Sequence, residues 1–374
     1  MDACDALIVG AGPAGSSCAW KLARAGLDVA VMDKQTFPRD KVCGGWITPP
    51  ILSELEIDTA EFARGRVLQP ITGFRTSRMG GREVQTDYGA AVSYGIRRCE
   101  FDDYLLRRSG ARFLSGAPLV TLERSGNWWI VNNELKTPLV IGAGGHFCPV
   151  ARFMGAKPRT EVAIAAQEIE FEMSPAQVDG CSIRGEYPEL YFCRDMKGYA
   201  WCFRKQNFIN IGIGRLDPHR FSTHAGTFRD FLRSTGKIAF DLTSRFLGHA
   251  YLLFGRAKRE LVGDGILLIG DSAGMAYTQS GEGIRPAIES GLLAAKVILD
   301  STGKYDRARL EAYRHLLQTR FQSTEGDWAV RAGRRLPSRW IGALAGALLA
   351  TSWFSRRIVL DQWFLHRHEP AFNS

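Results

Sequence analysis

The stretch "DALIVGAGPAGSSCAWKLARAGLDVAVMDK", residues 5–34, decides the fold predicted for this 374-residue chain. It opens with the apolar run Ala6–Val9, which is typical of a buried strand, and a glycine-rich turn follows directly. A helix is predicted as far as about Ala25, and a second apolar run, Asp28–Met32, ends at an aspartate. This order of strand, glycine turn, helix and strand predicts a βαβ unit with parallel strands.

The glycine turn and the aspartate together predict a dinucleotide-binding site. Gly10, Gly12 and Gly15 form the pattern GxGxxG. Gly10 makes the tight turn, Gly12 lets the backbone approach a pyrophosphate, and Gly15 lets the helix pack closely on the strand. Asp33 is placed to accept hydrogen bonds from an adenosine ribose. The residues predicted to line this site are Gly10, Gly12, Ala14, Gly15, Asp33 and Lys34.

A second glycine turn, late in the chain, indicates which dinucleotide binds. The stretch "DGILLIGDSAGM", residues 264–275, contains an apolar strand that ends in Gly270 and Asp271. The stretch "SGEGIRPAIESGLLAAKVIL", residues 280–299, adds a glycine turn and a helix that begins near Pro286, since proline is favoured at the first helical position. The combination resembles the second FAD signature of flavoproteins built like p-hydroxybenzoate hydroxylase.

That resemblance implies how FAD is held at the second turn. Asp271 is expected to hold the ribityl chain, and the turn and helix N-terminus are expected to face the pyrimidine edge of the isoalloxazine. Reduced flavin is anionic at that edge, and the positive end of a helix stabilises negative charge. The residues implied are Gly270, Asp271, Gly281, Gly283 and Ile284.

A third segment and one departure refine the comparison. The stretch "RRCEFDDYLL", residues 97–106, resembles the Arg-x-x-Phe-Asp-x-x-Leu helix start of the same flavoproteins, whose arginine, here Arg98, lies near the FAD pyrophosphate. Their mid-chain Gly-Ala-Asp-Gly motif is altered, because Gly144 stands where the aspartate would be. Since that motif helps with both FAD and NADPH, the external reductant stays open between NAD(P)H and a ferredoxin-like protein.

The stretch "GYAWCFRK", residues 198–205, alternates large side chains with small or polar ones. Successive side chains of a strand point to opposite faces, so Tyr199, Trp201, Phe203 and Lys205 are predicted to share one face. Such a strand is most often one face of a packed sheet. Beside a flavin site, it can instead form the apolar wall of a substrate groove, and the flavin motifs favour that second interpretation.

Three segments resemble the geranylgeranyl reductase family. The aromatic strand matches that family's Tyr-x-Trp-x-Phe-x-Lys core, with Arg204 where proline usually stands. The loop "DKVCGGWITP", residues 40–49, and the Ser-Gly-Glu-Gly-Ile run at residues 280–284 are also similar, and the resemblance covers about residues 1–300. It implies an FAD-dependent reductase that saturates isolated C=C bonds of a prenyl lipid, a prenyl diphosphate or a quinone side chain.

The resemblance also implies roles for the loop and the strand. An isolated alkene needs a proton beside the hydride, and aromatic faces attract the positive charge that gathers at its tertiary carbon. Cys43 is either a proton donor or a small apolar side chain beneath a loop, and Lys205 is expected to meet a diphosphate or phospholipid head. The expected catalytic residues are Cys43, Tyr199 and Trp201. The expected substrate-binding residues are Gly44, Gly45, Trp46, Tyr199, Trp201, Phe203 and Lys205.

Other functions on a flavin scaffold remain alternatives. The runner-up is a flavin-dependent monooxygenase or halogenase, although halogenases use a Trp-x-Trp-x-Ile-Pro strand that this sequence lacks. An electron-transfer flavoprotein that reduces quinones would use a C-terminal cysteine cluster, and no cysteine follows Cys202. A non-catalytic flavin-binding protein would not need an aromatic wall.

The motifs predict an α/β fold with two interleaved domains and a helical C-terminal region. A GxGxxG Rossmann-like FAD-binding domain is expected to be discontinuous, and an antiparallel β-sheet substrate domain is expected to be inserted into it. The expected limits are 1–65, 92–160 and 255–303 for the FAD-binding domain, 66–91 and 161–254 for the substrate domain, and 304–374 for the helical region.

The C-terminal region carries much of the positive charge. The whole chain has 48 Lys and Arg against 39 Asp and Glu, a net charge of +9, and residues 326–374 contribute seven arginines and three acids. The apolar stretch "WIGALAGALLATSWF", Trp340–Phe354, lies among these arginines and is shorter than the roughly 20 residues of a spanning helix. Two interpretations stay open: a buried C-terminal helix, or a monotopic helix that binds anionic headgroups at the inner face of the cell membrane.

Composition narrows the setting further. No nucleic-acid-binding motif accompanies the basic charge, so we expect no nucleic-acid partner. The eight cysteines are scattered without a CxxC pair, so no zinc site or iron–sulfur cluster is predicted. Asp2 and Asp5 precede the first apolar run, unlike the positively charged start of a signal peptide. We therefore expect a reducing, cytoplasmic setting.

Overall fold

The computed structural model describes residues 1–157, 161–217, 221–256, 258–321, 338–369 and 372. Its strands are β1 (Asp2–Ala3), β2 (Ala6–Val9), β3 (Val29–Asp33), β4 (Trp46–Ile47), β5 (Leu68–Ile71), β6 (Gly73–Arg78), β7 (Val84–Asp87), β8 (Ser93–Ile96), β9 (Arg112–Ser115), β10 (Leu122–Ser125), β11 (Trp128–Val131), β12 (Leu135–Thr137), β13 (Val140–Gly142), β14 (Ile164–Glu172), β15 (Glu189–Phe192), β16 (Gly198–Lys205), β17 (Phe208–Arg215), β18 (Leu247–Tyr251), β19 (Val262–Gly263) and β20 (Ile266–Leu268). Its helices are α1 (Pro13–Arg24), α2 (Pro49–Glu54), α3 (Thr59–Phe62), α4 (Arg98–Arg108), α5 (Pro149–Phe153), α6 (Pro175–Asp179), α7 (Phe221–Ser234), α8 (Ile284–Asp300), α9 (Arg307–Phe321), α10 (Ser338–Leu349) and α11 (Ser352–Phe354), with a 3₁₀ turn at Gly270–Ser272 and a π-helix at Ser355–Phe364.

A six-stranded sheet carries the two glycine turns. Its order is β19-β20-β13-β2-β3-β9, and all neighbours are parallel except β19 and β20. Strand β2 is buried along its whole length, as expected of a parallel strand with both faces covered. Helices α1 and α8 pack together so closely that a Cβ at Gly291 would lie 2.4 Å from the carbonyl oxygen of Ala14. The predicted βαβ unit is confirmed, and α8 begins at Ile284 rather than near Pro286.

A seven-stranded sheet carries the aromatic strand. Its order is β18-β14-β17-β16-β15-β6-β7. Neighbouring strands are antiparallel except at one point, where β6 pairs parallel with β15. Strand β6 comes from an early segment of the chain, whereas its parallel partner β15 comes much later. The expected sheet is therefore present, with one parallel pair inside it.

Two smaller sheets complete the β structure. The order β1-β12-β11-β10 forms one, and the antiparallel order β4-β8-β5 forms the other. Strand β4 directly follows the cysteine-containing loop at residues 40–45, and β8 ends just before α4 begins at Arg98. This sheet therefore fixes the loop between the glycine-turn sheet and the aromatic sheet. The domain limits given above stay a prediction.

The apolar C-terminal stretch at residues 340–354 is not one continuous helix. Helix α10 ends at Leu349, and the Thr351 hydroxyl accepts a hydrogen bond from the backbone N–H of Phe354 at 3.4 Å, which starts the separate helix α11. Threonine is a common N-cap because its oxygen satisfies a free N–H at a helix start. The predicted single helix is therefore wrong.

Burial along this stretch is uneven, so neither interpretation of it holds throughout. Leu349 is buried, whereas Leu344, Leu348 and Trp353 are exposed. Among the described residues, no helix is long and apolar enough to cross a membrane. The predictions made on residues 326–337, including those on Arg331, Arg334 and Arg335, lie outside the described residues.

Candidate active site

The first glycine turn has the close approaches that its sequence predicts. Gly10 has φ +116°, and a Cβ there would lie 2.4 Å from the backbone of Ala143. A Cβ at Gly15 would lie 2.0 Å from the carbonyl oxygen of Gly10. At Gly12, by contrast, the only described atom within 4 Å of a Cβ would be Nη2 of Arg39, at 3.7 Å. The backbone at Gly12 therefore faces open space, as a bound pyrophosphate requires.

The other residues predicted for this turn differ in their surroundings. Asp33 ends β3, and its Oδ2 accepts a hydrogen bond from the backbone N–H of Ala11 at 2.8 Å, which fixes the carboxylate beside the turn. Ala14 is buried against Gly270, where a Cβ would lie 2.8 Å from Cβ of Ala14. Lys34 is exposed. Ala14 thus contributes packing, and Asp33 keeps the position expected of a ribose ligand.

Arg39 supplies the clearest sign that an anion belongs above the turn. Its side chain is 15% exposed, and Nη2 lies 3.2 Å from Oδ2 of Asp102. Its Nη1 is buried and has no hydrogen-bond partner among the described residues. A buried guanidinium N–H without an acceptor is costly, and the phosphate oxygens of a dinucleotide would satisfy it. The residues at the turn therefore fit FAD.

The second glycine turn is packed between two side chains. Gly281 has φ +69°, and a Cβ there would lie 2.3 Å from Oη of Tyr251. Gly283 caps α8, and a Cβ there would lie 3.4 Å from Oδ1 of Asp271. Ile284 is the first residue of α8 and is buried. The structure therefore brings Asp271, the turn and the N-terminus of α8 together, as the resemblance implied.

Asp271 lies in a cluster of basic side chains that the sequence did not indicate. His249 Nε2 is 3.6 Å from Asp271 Oδ2, and Lys41 Nζ is 2.9 Å from His249 Nδ1. Burial acts to raise the pKa of Asp271, but His249 and the charges of Lys41 and Arg98 hold it below its ordinary value. Burial and the charge of Arg98 lower the pKa of Lys41 to about 8. The carboxylate of Asp271 therefore stays ionised beside the cations Lys41 and Arg98.

Arg98 begins α4 and points toward the cysteine loop. Its Nε and Nη2 donate to the two carboxylate oxygens of Asp102 at 2.8 and 2.9 Å. Burial acts to lower the pKa of Arg98, whereas Asp102 and the Cys43 thiol raise it, and the net result is an increase. The guanidinium is therefore charged. It lies beside the thiol of Cys43, and Asp102 connects it to Arg39 at the first glycine turn.

The aromatic strand β16 presents the two faces that its alternation predicts. Ala200 and Cys202 pack in the core beneath α7, on one side of the sheet. Tyr199, Trp201 and Phe203 join a separate apolar cluster on the other side. The indole of Trp201 lies across β17, where a Cβ at Gly212 would be 2.2 Å from Cζ2 of the indole. The predicted aromatic face is confirmed, and we call Tyr199, Trp201 and Phe203 the aromatic wall.

The aromatic wall touches the second glycine turn directly. The hydroxyl of Tyr199 donates a hydrogen bond to the carbonyl oxygen of Ser280, the residue before Gly281. Tyr251, on the edge strand β18, packs against the same turn through its hydroxyl. The strand predicted to meet substrate and the turn predicted to meet flavin are therefore in contact.

The cysteine loop, residues 43–45, lies on the aromatic wall. A Cβ at Gly44 would lie 3.1 Å from Phe203 and 3.5 Å from Nε1 of Trp201, so glycine allows the backbone to pass close to the rings. Gly45 has φ +64° and leaves no space for a side chain, since a Cβ would be 2.2 Å from a backbone oxygen. The Sγ of Cys43 accepts a hydrogen bond from the backbone N–H of Gly45 at 3.4 Å.

Two polar side chains from the sheet hold this loop in place. Glu168 accepts a hydrogen bond from the backbone N–H of Cys43, and its other oxygen is buried without a partner among the described residues. Asn210 donates to the carbonyl oxygen of Cys43 at 3.2 Å and accepts from Nε1 of Trp201 at 2.7 Å. Burial raises the pKa of Glu168 to about 7. Both peptide groups of Cys43 are thus bound from β14 and β17.

Lys205 lies on the predicted face but not in the predicted environment. Its side chain is 1% exposed, and Nζ lies 2.6 Å from Oε2 of Glu170. The same carboxylate accepts a hydrogen bond from Asn210 at 3.1 Å. A buried ammonium that already has a carboxylate partner is poorly placed to meet a lipid head, so nothing in this geometry supports that role.

The C-terminal residues cover the aromatic wall. Trp46, which follows the cysteine loop, stacks on Phe364 with ring centroids 5.6 Å apart and an interplanar angle of 12°. Phe364 also meets Tyr199 edge to face at 5.1 Å. Trp201 and Phe203 are only 7% and 5% exposed. The wall therefore does not open onto a free groove in this conformation, contrary to what the sequence suggested.

Several residues of this region were not predicted from the sequence. They are Arg39, Lys41, Glu168, Asn210, His249, Tyr251 and Phe364. Arg39 and Lys41 stand just before the cysteine loop, so two cations beside a loop near the flavin were a usable signal. The others come from β14, β17, β18 and the C-terminal region, and no local motif connects them.

Comparison with known proteins places the chain in a family. Residues 5–85 match the model of the FAD dependent oxidoreductase family. The chain is 32% identical over 339 residues to menaquinone reductase of Mycobacterium tuberculosis, covering 83% of this chain and 79% of that protein. It is 27% identical over 317 residues to digeranylgeranylglycerophospholipid reductase of Methanocaldococcus jannaschii, covering 79% of this chain and 77% of that protein.

Solved structures share the fold. A geranylgeranyl bacteriochlorophyll reductase-like protein from Thermoplasma acidophilum superposes with a TM-score of 0.77 at 21% identity, covering 94% of this chain and 92% of that one. Halogenase PltM in complex with phloroglucinol and FAD gives a TM-score of 0.66 at 16% identity, covering 84% and 74%. At such identities the likeness shows the fold alone. With the relatives in sequence and the glycine turns in place, the chain belongs to the geranylgeranyl reductase family of FAD-dependent oxidoreductases.

Proposed function

We propose that this chain saturates isolated C=C bonds in the prenyl chain of a lipid, a diphosphate or a quinone. The observation that carries the proposal is the contact between the aromatic wall, the flavin turn and the cysteine loop. Tyr199 binds the carbonyl of Ser280 in the turn, and Gly44 of the loop lies on Trp201 and Phe203. Aromatic rings and a thiol beside a flavin suit a substrate that has no polar group at its reacting carbons.

The relatives support the same substrate class. One is named for menaquinone and another for a digeranylgeranylglycerophospholipid, and both of these molecules carry a polyprenyl chain. Their head groups differ, which agrees with a site that recognises the hydrocarbon. The paired state of Lys205 fits this view, because its ammonium already has a carboxylate partner in Glu170 and does not need a phosphate.

The proposed reaction adds a hydride to one alkene carbon and a proton to the other. FAD supplies the hydride when it is bound and reduced. We assign the proton to Sγ of Cys43, because the cysteine loop lies on the aromatic wall and this thiol lies beside the charged guanidinium of Arg98. The rings of Tyr199 and Trp201 stabilise positive charge at the tertiary carbon, and the burial of Trp201 keeps water away.

A peripheral membrane contact is part of the proposal. Leu344, Leu348 and Trp353 are exposed on α10 and α11, and the exposed side chains of Arg356 and Arg357 follow them. Each basic residue near an anionic surface contributes about 1 kcal/mol. We expect cosedimentation with phosphatidylglycerol liposomes at low salt and release at high salt. Replacing Arg357 by Gln should weaken it, and binding that salt does not change would contradict this contact.

An anaerobic assay tests the proposed reaction. The flavin of the purified holoenzyme is reduced chemically, and geranylgeranyl diphosphate, a digeranylgeranylglycerophospholipid or menaquinone is added. We expect reoxidation of the flavin with formation of a product that is two hydrogens heavier per reduced bond. Reoxidation that occurs only with oxygen, with a hydroxylated or halogenated aromatic product, would instead support the monooxygenase or halogenase alternative.

A matched pair of variants tests the wall. Trp201→Phe removes the hydrogen bond to Asn210 and part of the ring surface beside the cysteine loop. It should slow prenyl reduction while FAD stays bound. Trp128→Phe, at an exposed position of the four-stranded sheet, is the control and should change neither. Loss of flavin and of folding in Trp201→Phe would mean that Trp201 is only a core residue.

A further inference from the structure

Residues 349–365, called here the C-terminal cover, lie on the aromatic wall. Within the described parts of the chain, no backbone–backbone hydrogen bond joins the cover to a strand, and those that join it to another element run to helix α10, from Ala350 to Gly346 and from Thr351 to Leu348. Its contacts with the body of the protein are made by side chains. The cover residues buried in the cluster of the aromatic wall are Leu349, Val359, Leu360, Phe364 and Leu365. An apolar segment without backbone pairing can leave its surface without breaking a sheet.

Phe364 is the centre of the cover. Its side chain is 2% exposed, and it contacts Trp46 by stacking and Tyr199 by an edge-to-face contact. Both partners belong to the surface that the proposed function gives to the prenyl chain. No hydrocarbon can touch these two rings while Phe364 lies on them. Either the ring moves or the substrate does not reach this part of the wall.

Polar contacts hold the cover at its edges. The hydroxyl of Tyr88, the residue after β7, donates to Oδ1 of Asp361 at 2.9 Å, and Nη1 of Arg367 lies 3.7 Å from the same atom. Just beyond the cover, the hydroxyl of Tyr277 donates to Oε2 of Glu369 at 2.7 Å. These contacts lie at the surface end and at the flavin end of the cover, so they can open without disturbing the wall.

We propose that Phe364 holds the place of the prenyl chain, and that the substrate enters by displacing the C-terminal cover. This inference rests on the proposed function. The exchange is physically reasonable because one apolar group replaces another on the same rings, so Trp46 and Tyr199 stay covered before and after binding. A wall that stayed open would expose an aromatic patch to water. Phe364 is thus a residue that competes with the substrate.

A closed cover lowers the apparent affinity for the substrate. The apparent affinity is the intrinsic one multiplied by the fraction of molecules in which the cover is open. Loss of the hydrogen bond between Tyr88 and Asp361 should raise that fraction by about three- to tenfold, the net worth of a typical intramolecular hydrogen bond, because Asp361 keeps Arg367 as a partner. The prenyl concentration needed for half-maximal reoxidation should fall by the same factor.

The first test compares two Tyr→Phe variants of the holoenzyme. Tyr88→Phe removes the bond to Asp361, and Tyr191→Phe removes a hydroxyl–carboxylate bond to Glu189 on the opposite face of the sheet, away from the cover. With geranylgeranyl diphosphate, we expect half-saturation to fall about three- to tenfold in Tyr88→Phe and to stay unchanged in Tyr191→Phe. Phe364→Ala should shift half-saturation in the same direction. Unchanged or raised half-saturation in both Tyr88→Phe and Phe364→Ala overturns the proposal.

The second test follows the cover itself by limited trypsin digestion. The cover and the residues just beyond it contain Arg356, Arg357 and Arg367. If the substrate displaces the cover, geranylgeranyl diphosphate should speed cleavage at these positions in the wild-type holoenzyme. Protection by the lipid would show that the cover is a fixed wall of the site and would overturn the proposal.

The two proposals fail in different ways. Flavin reoxidation with a saturated product, but with no change in half-saturation or cleavage, overturns the cover alone and leaves the reductase standing. If none of the prenyl lipids reoxidises the flavin of the wild type or of Tyr88→Phe, the proposed function falls, and the role of the cover falls with it.

Discussion

Replacing Arg39 by Met should separate FAD binding from folding. In the wild type, the guanidinium lies 3.2 Å from Asp102, packs 4.7 Å from the ring of Phe37, and leaves Nη1 buried without a partner. Methionine keeps an apolar stem of similar length and removes the charge. Asp102 keeps its two hydrogen bonds from Arg98, so no buried carboxylate is left unpaired. The folded apoprotein should therefore tolerate the change.

The magnitude follows from the orphaned Nη1. A hydrogen bond to a charged group contributes about 1.5–3 kcal/mol, and each 1.4 kcal/mol is a tenfold change in affinity. If Nη1 donates to a pyrophosphate oxygen, Arg39→Met should weaken FAD binding by about 10- to 150-fold. The apoprotein should be as stable as the wild type or slightly more stable, because the variant removes a buried donor that lacks an acceptor.

Titration of the apoprotein with FAD, followed by flavin fluorescence, measures the dissociation constant. Thermal unfolding of the apoprotein measures its stability. Arg24→Met is the matched control, since Arg24 lies at the exposed end of α1 and pairs with Glu56. An unchanged dissociation constant for FAD, together with a lower melting temperature of the apoprotein, would refute the reasoning and make Arg39 a structural residue.

Three further predictions follow from the site. Asp271→Ala should lower the FAD content of the purified protein, measured by flavin absorbance, because the carboxylate lies beside the turn at Gly283; full flavin content would contradict its role. Cys43→Ser should slow reoxidation of the flavin by a prenyl substrate in stopped-flow experiments and leave chemical reduction unchanged, and equal rates would make Cys43 a packing residue. Burial raises the pKa of Glu168 from 4.5 to about 7, so the stabilisation from its bound proton is complete below pH 4.5 and is lost as the pH rises through 7. Relative to Glu168→Gln, the free energy of unfolding of the wild type should fall on the order of 3 kcal/mol from pH 4.5 to pH 8 in urea titrations, and parallel curves would oppose this.

The sequence predicts the glycine turn well because its constraints are local. Gly10 has φ +116°, and a Cβ there would lie 2.4 Å from the backbone of Ala143. Only glycine fits this position, so the motif can be recognised in the sequence. The two faces of the aromatic strand could be predicted for a similar reason, since the alternation of its side chains assigns them. In both cases the structure depends on residues close in the chain.

The polar residues of the site depend on contacts across the fold. Glu168 and Asn210 bind the two peptide groups of Cys43, yet they lie on β14 and β17, far from residue 43 in the chain. Lys205 shows that a correctly predicted face does not reveal the partner of a side chain. Its face was predicted correctly, but its pairing depends on Glu170 of β14, which no pattern in the aromatic strand reveals. Strand register decides these contacts, and register is a property of the whole sheet.

The aromatic wall shows why the sequence could not separate a core strand from a substrate surface. Rings that bind a hydrocarbon are equally able to bind an apolar part of their own chain, because the hydrophobic effect does not distinguish the two. Here Phe364 lies on Trp46 and Tyr199 at the distances of ordinary core packing. The difference lies in the segment that supplies the cover. Cys202, on the opposite face, is covered by helix α7 and its own strands as part of a fixed core, whereas Phe364 belongs to a segment that has no backbone hydrogen bond to a described strand. An aromatic wall can bind a substrate only when its cover can leave. Whether this strand acts as core or as a binding surface therefore depends on the C-terminal residues and not on the strand itself.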